Sequence, residues 1–115
     1  MKKFIILGLA LIFLMGCSNF PTGNVVSDNL DDFAKYLTEE GVVMVGAEWC
    51  GHCQNQKAMF GDSFQYINYV DSVYYPEEAA SYGVSGYPTW ILADGTQLPG
   101  EQSIENLKEK TGYND

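Results

Sequence analysis

Two cysteines separated by two residues, Cys50-Gly51-His52-Cys53, come just after a short apolar run, Val42-Val43-Met44-Val45. This pairing constrains the fold more than any other stretch of the 115-residue chain. Four consecutive apolar residues between Gly41 and Gly46 are too few for a helix and read as a central strand buried on both faces. Glu48-Trp49-Cys50-Gly51-His52-Cys53 then opens a helix that runs to about Phe60, with Gly61 at its end. The first cysteine therefore sits where orphan backbone N–H groups and the positive end of the helix dipole favour negative charge. Its thiolate is stabilised there, and the second cysteine lies one helical turn inward.

The remaining elements follow from local pattern. Asp28 to Glu40 places Leu30, Phe33, Ala34 and Leu37 on one helical face, with Ser27 or Asp28 to cap the start and Gly41 to end it. Tyr66 to Val70 reads as a second buried strand, interrupted by Asn68. Pro76 to Tyr82 forms a short helix, with Pro76 in its first turn and Glu77 and Glu78 near its positive end. Thr89 to Ala93 is a third strand, Asp94-Gly95 a hairpin turn, and Thr96 to Leu98 the returning strand. Ser103 to Lys110 closes the chain as a helix between an N-cap serine and Gly112. A β-α-β half followed by a β-β-α half makes an α/β protein: a central mixed β-sheet flanked by helices on both faces. The length suits one domain, over residues 28–115.

Residues 1–17 are a separate compositional unit. Lys2 and Lys3 precede an unbroken apolar run from Phe4 to Met15, then Gly16 and Cys17. About a dozen apolar residues suit a secretory signal better than a spanning helix, which needs roughly 20. Leu14-Met15-Gly16-Cys17 resembles the lipobox of prokaryotic lipoproteins, with Met15 a less common choice at its position. The resemblance implies a signal peptide over residues 1–16, lipidation of Cys17 as the new N-terminus, and a polar tether over residues 17–27. It also implies an extracytoplasmic, membrane-anchored protein at the cell surface or in the periplasm.

The net charge of −9 includes Lys2 and Lys3, so beyond the leader only Lys35, Lys57, Lys108 and Lys110 face 15 acidic residues, with no arginine. Such a surface excludes nucleic acid as a partner, because phosphate binding needs clustered cations. With Cys17 assigned to lipid, Cys50 and Cys53 remain as one pair. A disulfide closing so short a loop adds little stability, so the pair is better explained by reversible chemistry than by stapling. Cys50 attacks a substrate disulfide or is attacked by a substrate thiol, Cys53 resolves the mixed disulfide, and no cofactor is required. His52, charged or donating a hydrogen bond, stabilises the Cys50 thiolate further and raises the reduction potential, while Gly51 keeps bulk away from the sulfur. The rival reading is metal binding. The two cysteines and His52, the only histidine, supply three ligands, but a structural zinc site needs a fourth. A soft-metal role is what remains of that reading.

Trp49-Cys50-Gly51-His52-Cys53 is similar to the active-site string of protein disulfide isomerase domains in the thioredoxin superfamily. Tyr82-Gly83-Val84-Ser85-Gly86-Tyr87-Pro88-Thr89 resembles the second signature of that superfamily, in which the proline is cis and faces the redox cysteines. This implies a thioredoxin-like fold, a redox-active Cys50-Cys53 disulfide, catalytic roles for Trp49, His52 and Pro88, and a substrate-binding edge at Tyr87 and Pro88. Gly46-Ala47-Glu48-Trp49-Cys50, Gln56-Lys57-Ala58-Met59-Phe60-Gly61, Tyr69-Val70-Asp71, Gly86-Tyr87-Pro88-Thr89-Trp90 and Gln102-Ser103-Ile104-Glu105 further resemble the thioredoxin-like domain associated with bacterial vitamin K epoxide reductase homologues.

What the resemblance implies is a membrane-anchored thiol–disulfide oxidoreductase acting on exported protein thiols and disulfides. It leans toward oxidase or isomerase, and a membrane quinone-linked thiol oxidase is its candidate redox partner. A disulfide reductase, or a non-catalytic lipoprotein that binds a partner or a soft metal, is the alternative. Two departures stand out. Ser72 occupies a place where that family often has a further cysteine, and Met44 stands six residues before Cys50, where thioredoxins and the isomerases bury an acid that relays protons. Proton transfer at Cys53 is then expected to use water or Glu48. Trp90 is expected to be packing, Lys57 to point into solvent, and the tyrosines at 66, 69, 74, 75 and 82 to carry no chemistry.

Overall fold

The computed structural model describes residues 30–114. The signal peptide, lipidation at Cys17, tether and cap at Ser27 or Asp28 expected from the sequence all lie outside the described residues.

Helix α1 spans Asp31–Glu39 and buries Phe33, Ala34 and Leu37. No side chain caps its start at Leu30, but Asp31 and Asp32 place carboxylates in its positively polarised first turn. Its end is at Gly41 as expected. That residue has a positive φ of 86°, and the Val42 N–H reaches back to the Leu37 carbonyl, satisfying an end-of-helix acceptor.

Strand β1 (Val43–Gly46) leads to α2 (Gly51–Phe60), a 3₁₀ helix (Gly61–Tyr66), β2 (Tyr69–Asp71), α3 (Pro76–Ser81), β3 (Thr89–Ile91), β4 (Gln97–Pro99) and α4 (Ile104–Thr111). The sheet order is β2-β1-β3-β4. β1 runs parallel to β2 and antiparallel to β3, and β4 runs antiparallel to β3. This is the mixed sheet expected from the β-α-β and β-β-α halves. The strand alternation divides the core in two. Met44 and Trp90 face the α1, α2 and α4 side with Phe33, Leu37, Cys53, Phe60 and Leu107, whereas Val43, Val45, Val70 and Ile91 face α3 through Ala79.

Two element boundaries differ from the sequence reading for an identifiable reason. The second strand starts at Tyr69, not Tyr66, because the chain continues past Gly61 as a 3₁₀ helix. That segment is tied to α1 by bonds from Ser63 Oγ to Asp31 Oδ1 (2.5 Å) and from Thr38 Oγ1 to the Tyr66 carbonyl (2.6 Å). The hairpin turns at Asp94-Gly95, but β4 begins one residue late because Asp94 Oδ1 accepts the Thr96 N–H at 2.9 Å. The closing helix keeps both expected ends. Ser103 Oγ accepts the Asn106 N–H at 3.0 Å, and Gly112 takes the left-handed conformation.

Candidate functional site

Cys50 is the N-cap of α2, in extended conformation, with its backbone N–H bonded to Ala47 O. Its sulfur takes the position of a capping oxygen: Sγ accepts the Cys53 N–H at 3.1 Å. The thiolate is thus offered an orphan N–H donor and the positive end of the helix dipole together. Both cysteines are free thiols. Cys50 keeps 6% of its surface exposed and Cys53 none. That asymmetry fits an attacking sulfur at the rim and a resolving sulfur behind it. Burial, and next the contact with Cys50, pushes the Cys53 thiol up to about 12.

The helix carrying the pair is locked from below by Gln56, which is fully buried. Its Oε1 accepts both Trp90 Nε1–H (3.0 Å) and the Gln102 N–H (2.7 Å), while its Nε2 donates to Gln102 O at 2.9 Å. One amide therefore joins α2 to β3 and to the segment leading into α4. Trp90 has the packing role expected of it.

Tyr87-Pro88 is a cis peptide, as the resemblance implied. Pro88 is buried and its carbonyl accepts the Gly100 N–H at 2.7 Å. Tyr87 packs against the core cluster that contains both cysteines. Its ring meets Trp49 edge-on, with centroids 5.9 Å apart. Trp49 is 72% exposed and flanks Cys50 as an aromatic wall open to solvent. Next to it the Tyr74 hydroxyl donates to Glu48 Oε1 at 2.5 Å, on the exposed surface.

His52 sits between the cysteines in sequence but turns outward, with its side chain 76% exposed. Its Nδ1 lies 2.6 Å from Glu101 Oε2, which also accepts Asn55 Nδ2–H at 3.1 Å. These two bonds, His52 first, hold the Glu101 carboxyl below the usual carboxylate range. The direct hydrogen bond at Cys50 Sγ comes from the Cys53 backbone, so whatever His52 contributes to the thiolate acts through space and against the charge of Glu101.

A model of the thioredoxin family matches residues 24–112. The chain belongs to the thioredoxin family. Among its relatives, "Thiol-disulfide oxidoreductase LTO1" of Arabidopsis thaliana is 37% identical over 91 residues, covering 70% of this chain and 23% of the relative. "Protein disulfide isomerase-like 2-2" of Oryza sativa subsp. japonica is 31% identical over 122 residues, covering 92% of this chain and 33% of the relative. The chain therefore spans a third or less of these longer proteins. Thioredoxin NaTrxh from Nicotiana alata is similar in structure, with a TM-score of 0.50 and 18% identity, over 87% of this chain and all of that one. The fold is the thioredoxin fold, with its mixed four-stranded sheet between helices.

Within that fold, four residues at or near the site were not singled out for chemistry from sequence. Gln56 and Glu101 act through the contacts just described, and their long-range partners have no local signature. Tyr69 and Asp71 lie on β2, Tyr69 beside the buried sulfur. The Tyr69 hydroxyl donates to Asp71 Oδ2 at 2.8 Å, and Asp71 Oδ1 accepts the Val73 N–H at 2.8 Å. Lys57, expected in solvent, instead lays its ammonium 4.3 Å from the Tyr69 ring centroid. A long aliphatic stem over an aromatic face is a favourable resting place for that cation. Glu48 is exposed and bonded to Tyr74. Among the described residues no three His, Cys, Asp or Glu side chains are grouped to hold a metal ion.

Proposed function

We propose that this chain is a thiol–disulfide oxidoreductase of the protein disulfide isomerase type, anchored to a membrane and acting on exported proteins. The observation that carries the reading is the Cys50 sulfur at the N-cap of α2, with Cys53 buried one turn behind it. Running as a reductant, the Cys50 thiolate attacks one sulfur of a substrate disulfide, and the other substrate sulfur leaves as a thiolate. Cys53, losing its proton, then attacks Cys50. The intramolecular disulfide forms and the second substrate sulfur departs, so two electrons pass from the pair to the substrate. Every step reverses when the pair starts oxidised. Trp49 and Tyr87 form the surface against which an extended polypeptide presents its sulfur, and Pro88, buried behind them, sets the cis turn of the backbone.

The oxidase or isomerase lean rests on the Gly51-His52 spacer, since a cation or hydrogen-bond donor that stabilises the thiolate favours the reduced pair and raises its potential. A reductase is the second reading, and one contact favours it: the ion pair with Glu101 offsets the charge His52 would present to Cys50. Anchoring rests on Lys2-Lys3, the apolar run and Cys17; among the described residues no helix is long and apolar enough to cross a membrane. The strings shared with vitamin K epoxide reductase-associated domains support a quinone-linked thiol oxidase as the electron acceptor.

Cys53→Ala tests the reading. With the resolving sulfur gone, proteins purified with this variant should carry disulfide adducts on Cys50, visible by mass spectrometry and released by reductant. Their absence, with partner binding retained, would establish a binding module in place of an enzyme.

A further inference from the structure

The resolving step requires Cys53 to lose a proton, and Cys53 is the less favourably placed of the two sulfurs: fully buried, behind the helix N-terminus. The acid position six residues before Cys50 holds Met44, which is buried and apolar. The nearest chemistry comes from the neighbouring strand. β1 and β2 pair with Met44 opposite Tyr69 and Gly46 opposite Asp71, so Tyr69 and Asp71 project toward the face that holds α2. A methyl group placed on Gly46 would lie 3.0 Å from Cys53 Sγ and 3.2 Å from the Tyr69 hydroxyl. Sulfur and hydroxyl thus border the same small volume above a glycine, across a gap that one water closes. The hydroxyl is already oriented, since its own hydrogen points at Asp71 Oδ2.

We propose that Tyr69 and Asp71 form the proton relay of Cys53, replacing the acid absent at residue 44; the inference rests on the thiol–disulfide exchange proposed above. During resolution the Cys53 S–H proton passes to the Tyr69 oxygen as the tyrosine gives its own proton to Asp71. The Cys53 thiolate attacks Cys50, the Cys50–substrate bond breaks, and the departing sulfur takes a proton from water. In the reverse direction Asp71 returns the proton through Tyr69 to the Cys53 thiolate released from the disulfide. Tyr69 is never ionised. In keeping with that, burial, followed by its bond to Asp71, raises the phenol above its ordinary range. Gly46 is the element that permits the arrangement, because any side chain there would part the two groups.

The ionisable groups around Cys53 are Cys50 at the N-cap of α2, Lys57 from α2, Tyr69 from β2 with Asp71 on its hydroxyl, and Tyr87 from the turn before β3. β1 contributes none there. Lys57 lies over the Tyr69 ring and favours the anionic side of each transfer.

The test is stopped-flow reaction of the reduced full chain with dithiobis(nitrobenzoate), which releases one coloured thiolate when Cys50 attacks and a second when Cys53 resolves. In Tyr69→Phe, which keeps the ring, and in Asp71→Asn, which keeps an acceptor for Val73, the first phase should match wild type. The second should slow on the order of 10²-fold at neutral pH, the usual worth of a positioned acid–base group. The deficit should shrink as pH rises, because hydroxide then removes the proton directly. A purely structural role would slow both phases, or slow the second equally at every pH. A second phase that equals wild type in both variants overturns the relay. A wild-type chain with no first phase overturns the exchange reaction itself, so the two failures are distinguishable.

Discussion

Gly46→Ala probes the most crowded point of the site. The added methyl would sit 2.9 Å from Tyr69 Cε1 and 3.0 Å from Cys53 Sγ, closer than such contacts tolerate. Neither neighbour can yield freely. Tyr69 is held between Phe64, with ring centroids 5.4 Å apart, and its bond to Asp71. Cys53 is fixed by its place in α2 and is fully buried. Gly46 itself is held, because β1 is an interior strand and the Gly46 carbonyl accepts the Ser72 N–H at 2.8 Å. Overpacking of this kind costs about 2 kcal/mol, which for a domain of this size lowers Tm by roughly 10 °C. Gly51→Ala is the internal control: its methyl meets nothing within 4 Å, and alanine is the better helix former by up to about 1 kcal/mol. Thermal unfolding of the reduced proteins by circular dichroism should place Gly46→Ala well below wild type and Gly51→Ala at or above it. Equal melting temperatures for the two variants would refute the packing argument around Cys53.

Other outcomes follow from the same geometry. Because burial raises the Cys53 thiol from 9.0 to about 12 in the folded state, the reduced fold retains a proton that the unfolded chain loses across that window. Its stability is therefore complete below pH 9 and falls as pH climbs toward 12. Urea midpoints under reducing conditions should show this decline in wild type and less of it in Cys53→Ala, the difference isolating Cys53 from the other alkaline titrations. Gln56→Leu strips the acceptor from Trp90 Nε1–H and the Gln102 N–H. Each orphaned buried donor costs about 1–3 kcal/mol, so chemical denaturation should find this among the most damaging single changes in α2. Cys17→Ser should move the protein from the membrane fraction to the soluble fraction of its native host without altering disulfide exchange by the purified chain; continued membrane association would contradict the lipid anchor.

What could be read from the sequence, and what could not, divides along contact range. Gly41, Asp94-Gly95, Ser103 and Gly112 are local signals whose physics is complete within a few residues, and the structure places turns or caps at each. The strand before Cys50 and the helix after it were legible because an uninterrupted apolar run and a cysteine pair leave few alternatives. The 3₁₀ helix was not, because nothing between Gly61 and Tyr66 announces it; tertiary bonds from Thr38 and Ser63 hold it in place. Lys57 looked like a surface cation because the Tyr69 ring that receives it comes from another strand. Likewise, His52 was read against its sequence neighbours, whereas its partner Glu101 lies 49 residues away. Tyr69 and Asp71 alternate with Val70 as any strand residues would. Only the β1–β2 register and the missing side chain at Gly46 reveal that Tyr69 lies near the buried sulfur, with Asp71 on its hydroxyl.

Disulfide exchange by this chain requires Cys50 and Cys53 to form and break one bond within a biological range of potentials. Equilibration of the purified chain in glutathione buffers, with the thiols quenched by alkylation and counted by mass, measures this directly. The expected result is a single two-electron transition between dithiol and Cys50–Cys53 disulfide, nearer the about −180 mV of protein disulfide isomerase than the about −270 mV of thioredoxin. A pair that stays reduced in every buffer, or a disulfide that glutathione cannot open, would contradict it.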